Sequence, residues 1–435
     1  MTSIPSRTTR AAHSLACGID FGTSNSSVGF CGADGPRLLP IQRGATSVPT
    51  ALFYSLDDNS TTFGHEALER YFAREPGRYL RAIKSVLGTK LFEETTQVKR
   101  KRHTFGEIVA TFLRFLRTSA GESLGAPPAR VVLGRPAFFV DDNPGADAAA
   151  QSQLEAAARI AGFETIAFQF EPIAAALDYE QSVRTEEIAL VADIGGGTSD
   201  FSVVRVSPER ARAADRREDI LGFTGVHIGG TDFDRQLAMA TVMPSLGLHS
   251  PLQRKGLDAP AWYFSDLATW HRIGFLYEPK VLTQVRGVLR ESAEPEKIER
   301  LLRVLEHRKG HELLAAVEAA KIELSNAERT TLDLGDSGTG ISVKITRTQL
   351  EKAVADSLQR IRTRIADVLK MAALSPDQVS AVFLTGGATR MPSVRNTIAA
   401  AVPTARVIAG DAFGSVATGL ALDAARRFGA LTDPR

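Results

Sequence analysis

Residues Leu190–Val206 read LVADIGGGTSDFSVVRV: two apolar runs joined by three glycines, with Asp193 before the glycines and Asp200 after them. The apolar, β-branched runs predict two strands, and Gly195, Gly196 and Gly197 predict a tight turn between them. A glycine turn leaves its amide N–H groups bare, and such groups together form a nest for an anion. Thr198 adds a hydroxyl donor. A carboxylate at the strand end does not itself bind phosphate, but it can hold a hydrated Mg²⁺ that bridges phosphate oxygens. A single hairpin of this kind is often only a turn. Here a second unit, GIDFGTSNSSVG (Gly18–Gly29), repeats the chemistry: Asp20 ends a strand, Gly22 turns, and Thr23, Ser24 and Asn25 follow. Two such hairpins facing each other across a gap would clamp a metal–polyphosphate, one from each half of the molecule.

The rest of the chain supports two halves. Its 435 residues are too many for one ordinary core. A net charge of +2, with 43% hydrophobic and 23% charged residues, gives no field that favours nucleic acid or an anionic membrane. No apolar run approaches the roughly 20 residues of a membrane span. Cys17 and Cys31 are the only cysteines and form no metal or redox motif, so a reducing, cytoplasmic setting is expected. Residues 1–14 read as a disordered tail. Strands are predicted around both hairpins, in LLPIQR, TALFYSL, ARVVLGRPAFF and TIAFQF. Residues 66–117 read as mainly helical, broken at EPGR and VKRKRH, and about 240–326 read as helical too. TTLDL and ISVKITR read as an antiparallel pair, and one long helix is expected from Thr348 to about Ala373. The basic run Lys99–His103 lacks an aromatic platform and reads as a solvated loop rather than a nucleic-acid site. The aromatics of AWYFSDLATW (Ala261–Trp270) read as core.

A third signal is VFLTGGATRMPSV (Val382–Val394). A strand delivers Gly386 and Gly387, which let another group approach the backbone, and Arg390 is placed to stack on a nucleoside. The chain has no GxxxxGK[ST] P-loop and no GxGxxG after a strand, which separates it from the commoner nucleotide folds.

Five stretches in order, IDFGTSNSSV, FQFEPIAAALDYE, DIGGGTSDFSV, HIGGTDFD and TGGATRMPSV, resemble the signatures of the nucleotide-binding domain of the heat-shock protein 70 (DnaK-type) chaperones. The likeness runs from about Leu15 to Phe428 and is nearest to the short YegD-like bacterial subgroup. It implies an α/β, actin-like ATPase fold of ribonuclease H-like duplicated lobes around a nucleotide cleft. Lobe I is expected over 15–187 with a small subdomain at about 42–120. Lobe II is expected over 188–410 with a small subdomain at about 231–330, and 411–435 would return as a helix to lobe I. The resemblance implies ATP or ADP, Mg²⁺ and a monovalent cation such as K⁺ as ligands. Asp20 and Asp193 would hold Mg²⁺ through water. Gly22, Thr23, Ser24 and Asn25 would contact phosphates from one side, and Gly195, Gly196, Gly197 and Thr198 from the other.

Within the same resemblance, Lys84 would be the catalytic lysine, and Glu171 would sit in the metal's outer shell with Pro172 beside it at a switch. Asp200 would position the attacking water, and Gly229, Gly230 and Asp232 would line the cleft. Glu318, Lys321 and Ser325, on one helix face, would hold ribose and base with Gly386, Gly387 and Arg390. Two departures from the family stand out. Ile322 replaces an arginine that stacks on adenine, and AGDAFGSVATG replaces an acidic loop, leaving Asp411 as its nearest equivalent. No peptide-binding domain is expected after residue 435. These features predict a monomeric, slowly ATP-hydrolysing switch that acts on a protein client or co-chaperone. A small-molecule kinase, and an ATP-dependent filament-forming or sensor protein, share the fold and are the alternatives.

Overall fold

The computed structural model describes residues 15–98, 101–136, 138–140, 143–180, 183–210, 216–253, 256–335, 338–409 and 414–429. The tail at 1–14, Lys99, Arg100 and Asp411 lie outside them.

The alternating apolar runs around each glycine turn do form hairpins. Ala16–Phe21 pairs antiparallel with Asn25–Gly32, setting Asp20 opposite Ser27. Glu187–Ile194 pairs antiparallel with Ser199–Val206, setting Asp193 opposite Asp200. Each hairpin grows into a sheet by the same rule. A third strand, Gly35–Leu38 or Ile220–Val226, continues antiparallel from the second arm. Two further strands join the first arm in parallel: Arg130–Arg135 and Thr165–Phe170 in one sheet, Ala381–Thr385 and Arg406–Ala409 in the other. The strand order along the two sheets is therefore the same, apart from the short strand Ser47–Pro49, which also pairs with Asn25–Gly32. The parallel strands are the β-branched, continuously apolar ones. Val131, Val132 and Leu133, and all of Ala381–Thr385, are buried, as strands covered on both faces must be.

Three cores follow from this frame. One lies under the first sheet, around Phe21, Leu52, Phe112 and Leu133. A larger one lies under the second sheet and the helical region after it, around Phe201, Phe233, Phe264 and Leu301. The third joins the halves: Ile173–Leu177 and Val416, Leu420 and Ala424 pack between strands of both sheets. Two helices carry these residues, Glu171–Glu180 and Ser415–Phe428. They form the floor of the space between the halves.

The structure corrects the sequence expectations in three places. Residues 77–98 and 101–104 are not helical but hold strands Gly77–Arg81, Thr95–Val98 and Lys101–Thr104 and two short 3-10 turns. Lys101, Arg102 and His103 of the basic run thus lie in the second strand of a β-hairpin. The helix expected from Thr348 is two, Arg347–Ala353 and Ala355–Met371, broken at Val354. LLPIQR forms no regular strand; the strand at that edge is Gly35–Leu38. The antiparallel pair Arg329–Asp333 and Ser342–Thr346 forms in the expected place. Among the described residues no helix is long and apolar enough to cross a membrane.

Candidate functional site

The two hairpin turns meet. Gly196 has ordinary backbone, and a methyl group on it would lie 2.0 Å from the Ser24 hydroxyl oxygen. None of Gly195, Gly196 and Gly197 adopts the left-handed conformation that glycine alone tolerates. At Gly196, then, the missing side chain serves close approach to the opposite hairpin rather than backbone geometry. The hairpins do face one another, but the open gap expected between them is closed at the tips.

Each turn is held from behind. In the first, the Thr50 hydroxyl donates to the Gly22 carbonyl at 2.7 Å, and the Thr50 N–H donates to the Ser24 carbonyl at 2.9 Å. The Thr50 carbonyl accepts from Ala82 at 3.2 Å, which ties the turn to the segment that carries Lys84. In the second, the first N–H groups of helix Gly230–Leu237 are taken by the turn itself. Gly230 donates to the Gly195 carbonyl at 2.9 Å and Thr231 to the Gly196 carbonyl at 2.8 Å. Asp232 accepts the Gly229 N–H at 2.9 Å as a cap at that helix start. Gly386 has φ +83°, and a methyl group there would lie 2.2 Å from the Ile194 carbonyl oxygen, so the strand-to-helix turn after Thr385 packs directly behind the Asp193 strand end.

Four carboxylates and one ammonium converge between the hairpins. Lys84 donates to Glu171 at 2.8 Å, with both side chains largely buried. Burial pulls the lysine's pKa down, but Glu171 and Asp20 more than offset this, and it stands above its usual value. Burial first, then the neighbouring Glu171 and Asp193, pushes Asp20 up to about 8 against the pull of Lys84. Burial, Asp200 and Glu171 push Asp193 up to about 7. Asp200 accepts from the Thr198 hydroxyl at 3.0 Å. Behind Asp193 and Asp200 lies a cavity of about 10 Å³, bordered by Glu171, Pro172 and Thr385. It has room for about one water molecule.

This donor set fits a hydrated divalent ion. Carboxylates driven toward protonation by burial and then by each other's charge are relieved by a cation, and hard oxygens suit Mg²⁺. Among the described residues no three His, Cys, Asp or Glu side chains form a cage that could hold a metal directly. An ion here would therefore take most of its coordination from water and phosphate, as Mg²⁺ does.

The side expected to hold the nucleoside is only partly assembled around one point. Lys321 is buried; its ammonium lies 2.8 Å from Asp234 and donates to the Gly230 carbonyl at 3.1 Å. It braces the second turn, while Glu318 and Ile322, the latter 58% exposed, share the open face of the helix one turn apart. Ser325 is half-buried and donates weakly to the Lys321 carbonyl at 3.4 Å. Arg390 is exposed at the end of the Gly387–Arg390 turn. Sequence reading missed Thr50 and Asp234. The Asp in HIGGTDFD was legible, but nothing in the spacing tied it to a lysine 87 positions later.

Comparison with known proteins agrees with this frame. The family model described as "Hsp70 protein" matches residues 16–243 and 293–432. A similar protein is the "Chaperone protein dnaK" of Cyanidioschyzon merolae, 27% identical over 88% of this chain and 56% of its own length. The chain thus spans about half the length of that curated relative. The chain belongs to the Hsp70 protein family, and its two like-ordered sheets around a cleft are that family's actin-like ATPase fold.

Proposed function

We propose that the chain is an ATP- and Mg²⁺-dependent switch that hydrolyses ATP slowly and passes the resulting change of shape to a protein client or co-chaperone. The observation that carries this reading is the apposition of the Asp20 and Asp193 hairpins with the Lys84–Glu171 pair between them. Four carboxylates against one ammonium repel a bare polyphosphate, so the ligand must arrive with a divalent cation. Mg²⁺, when bound, neutralises charge on the phosphate oxygens. The chain's own groups supply the rest. Backbone N–H groups of Gly22–Asn25 and Gly196–Thr198 orient the phosphates from two sides, while the Gly195 N–H closes the second turn on the Thr198 carbonyl at 3.0 Å. The Lys84 ammonium, released from Glu171, stabilises charge on the transferring phosphoryl group. Asp200, oriented by Thr198, holds the attacking water in line, with a monovalent cation such as K⁺ as a further neighbour. Glu318, Lys321, Ser325 and Arg390 flank the nucleoside, and Ile322 gives the base an apolar wall. Hydrolysis and phosphate release would then let the halves move about the two floor helices.

Family membership favours this switch over the kinase and filament alternatives. The test is hydrolysis of Mg²⁺–ATP under single-turnover conditions. The reading expects free phosphate at about 10⁻³ s⁻¹, the range of unassisted nucleotide switches. Phosphate transferred instead to an added sugar or carboxylic acid would replace it with the kinase reading.

A further inference from the structure

A second cavity lies in the first half, and no described residue around it belongs to the nucleotide site. It holds about 500 Å³ and opens between the turn at residues 41–45 and one face of helix Phe105–Leu124. Its walls are fixed before any ligand arrives. The Gln42 side-chain amide donates to the Phe63 carbonyl at 3.0 Å and accepts the His65 N–H at 2.9 Å. The Ile41 N–H donates to the Ala45 carbonyl at 2.8 Å, and the Ala45 N–H donates back to the Gln42 carbonyl at 2.9 Å. Between the walls the rings of Phe63 and Phe115 stack 4.5 Å apart, with 5° between their planes. Both are only half-buried, and the buried Phe112 backs them at 6.4 and 5.8 Å.

The charges around this apolar patch differ in what they already hold. Arg43 is tied to Glu66 at 3.5 Å and to Glu69 at 2.7 Å. Arg114 and Glu122, both exposed, have no ion-pair partner among the described residues; Arg114 gives one N–H to the Ile160 carbonyl at 2.7 Å. Ser119 borders the cavity at 6% exposure, and its hydroxyl has no hydrogen-bond partner among the described residues. A hydroxyl buried to that degree is costly to leave unpaired. Arg114 and Glu122 lie eight positions apart on one helix, about 12 Å along its axis. Phe115 and Ser119, one turn apart on the same face, lie between them.

We propose that this cavity is a docking groove for an extended segment of a partner protein, with an acidic side chain over Arg114, an apolar one on the Phe63–Phe115 rings and a basic one over Glu122. The inference does not depend on the nucleotide reading. Spacing and charge decide the occupant. In an extended chain residues i, i+2 and i+4 share a face, and i to i+4 spans about 13 Å, which matches the Arg114–Glu122 separation. The middle of the segment then passes Ser119, whose hydroxyl bonds its backbone, while the central side chain packs on the rings. A free amino acid carries both charges on one carbon and cannot reach Arg114 and Glu122 together. A nucleic acid or an anionic membrane presents one sign of charge and would meet Glu66 and Glu122 alongside the arginines. Fixed walls leave the ordering cost of binding on the segment alone.

Fluorescence anisotropy on the full chain, without nucleotide, tests this with labelled peptides blocked at both ends. Glu-Thr-Phe-Thr-Lys and Lys-Thr-Phe-Thr-Glu cover the two chain directions. Glu-Thr-Phe-Thr-Glu and Lys-Thr-Phe-Thr-Lys carry one sign of charge. The parent chain should bind the better mixed-charge peptide saturably and about fivefold more tightly than either single-sign peptide, the size of one exposed ion pair. Arg114→Glu should turn the preference to Lys-Thr-Phe-Thr-Lys, and Glu122→Lys should turn it to Glu-Thr-Phe-Thr-Glu. Alanine in place of the peptide's phenylalanine should weaken binding about tenfold. Both substitutions are at exposed positions, and a melting curve on each variant checks that it is folded. No saturable binding of either mixed-charge peptide, or a preference that either substitution leaves unmoved, would overturn the groove. Tighter binding of the parent chain to the doubly acidic peptide would also overturn it, in favour of a plain anion site. Nucleotide enters none of these measurements, so a failure of the nucleotide reading leaves their outcome untouched.

Discussion

Lys84→Met should leave Mg²⁺–ATP bound within a few-fold and lower single-turnover hydrolysis by about 10²- to 10³-fold. The lysine is one ammonium among four carboxylates, held at 2.8 Å by Glu171 and only 11% exposed. Its charge is therefore kept where little water competes with it, which is where an electrostatic contribution to a transition state is largest. Ground-state affinity is set mainly by the two backbone cradles and the divalent ion, so affinity and rate should separate. Methionine keeps the length and apolar stem of lysine, so the change is in charge rather than packing. Quenched-flow measurement of phosphate on the variant checks this. A loss of less than about fivefold would remove Lys84 from the chemistry.

Gly196→Val should weaken Mg²⁺–ATP binding by about 100-fold or more while leaving the fold in place, about 2.7 kcal/mol in binding. Among the described residues, chain neighbours aside, the atoms within 4 Å of a methyl group at this position belong to Ser24 of the opposite hairpin. The backbone there already suits an ordinary residue, so a larger side chain costs the free chain little beyond pushing the hairpins apart. The position is where the second cradle must close on its ligand, so the cost falls on binding. Gly197→Ala is the matched control, since among the described residues nothing beyond its chain neighbours lies within 4 Å of a methyl group there; its affinity should stay within about threefold. Titration calorimetry and a melting curve on both variants separate the two effects. Equal losses at both positions would mean that the triplet matters as a turn and not as a contact between halves.

Much of this frame was legible in the residues, and the limits have physical reasons. The hairpins could be read because alternation of apolar residues is a local signal and glycine marks the turn. Two similar halves could be anticipated because each hairpin is followed by more strands and then helices; the shared strand order along the two sheets was not legible, since pairing between distant strands leaves no local pattern. The role of the glycines was read less well. They looked like turn formers, whereas Gly196 is bare because Ser24, 172 positions away, occupies its neighbourhood. No local pattern reports such a partner. The same limit hid Thr50, whose hydroxyl clamps the first turn, and Asp234, which takes Lys321 away from the open helix face. Residues 77–98 and 101–104 misled for another reason. Their charged and small residues carry a weak periodicity, and short edge strands there are fixed by pairing with Ala51–Ser55 and with each other.

The account rests on one claim, that two opposed backbone cradles grip the phosphates of a nucleotide through a shared divalent ion. Titration calorimetry of the intact chain with ATP and with ADP, each with and without Mg²⁺, and again on Asp193→Ala, tests it most directly. The account predicts saturable binding of both nucleotides that needs Mg²⁺ and is lost in the variant. Binding of equal strength without Mg²⁺, or undiminished in Asp193→Ala, would contradict it.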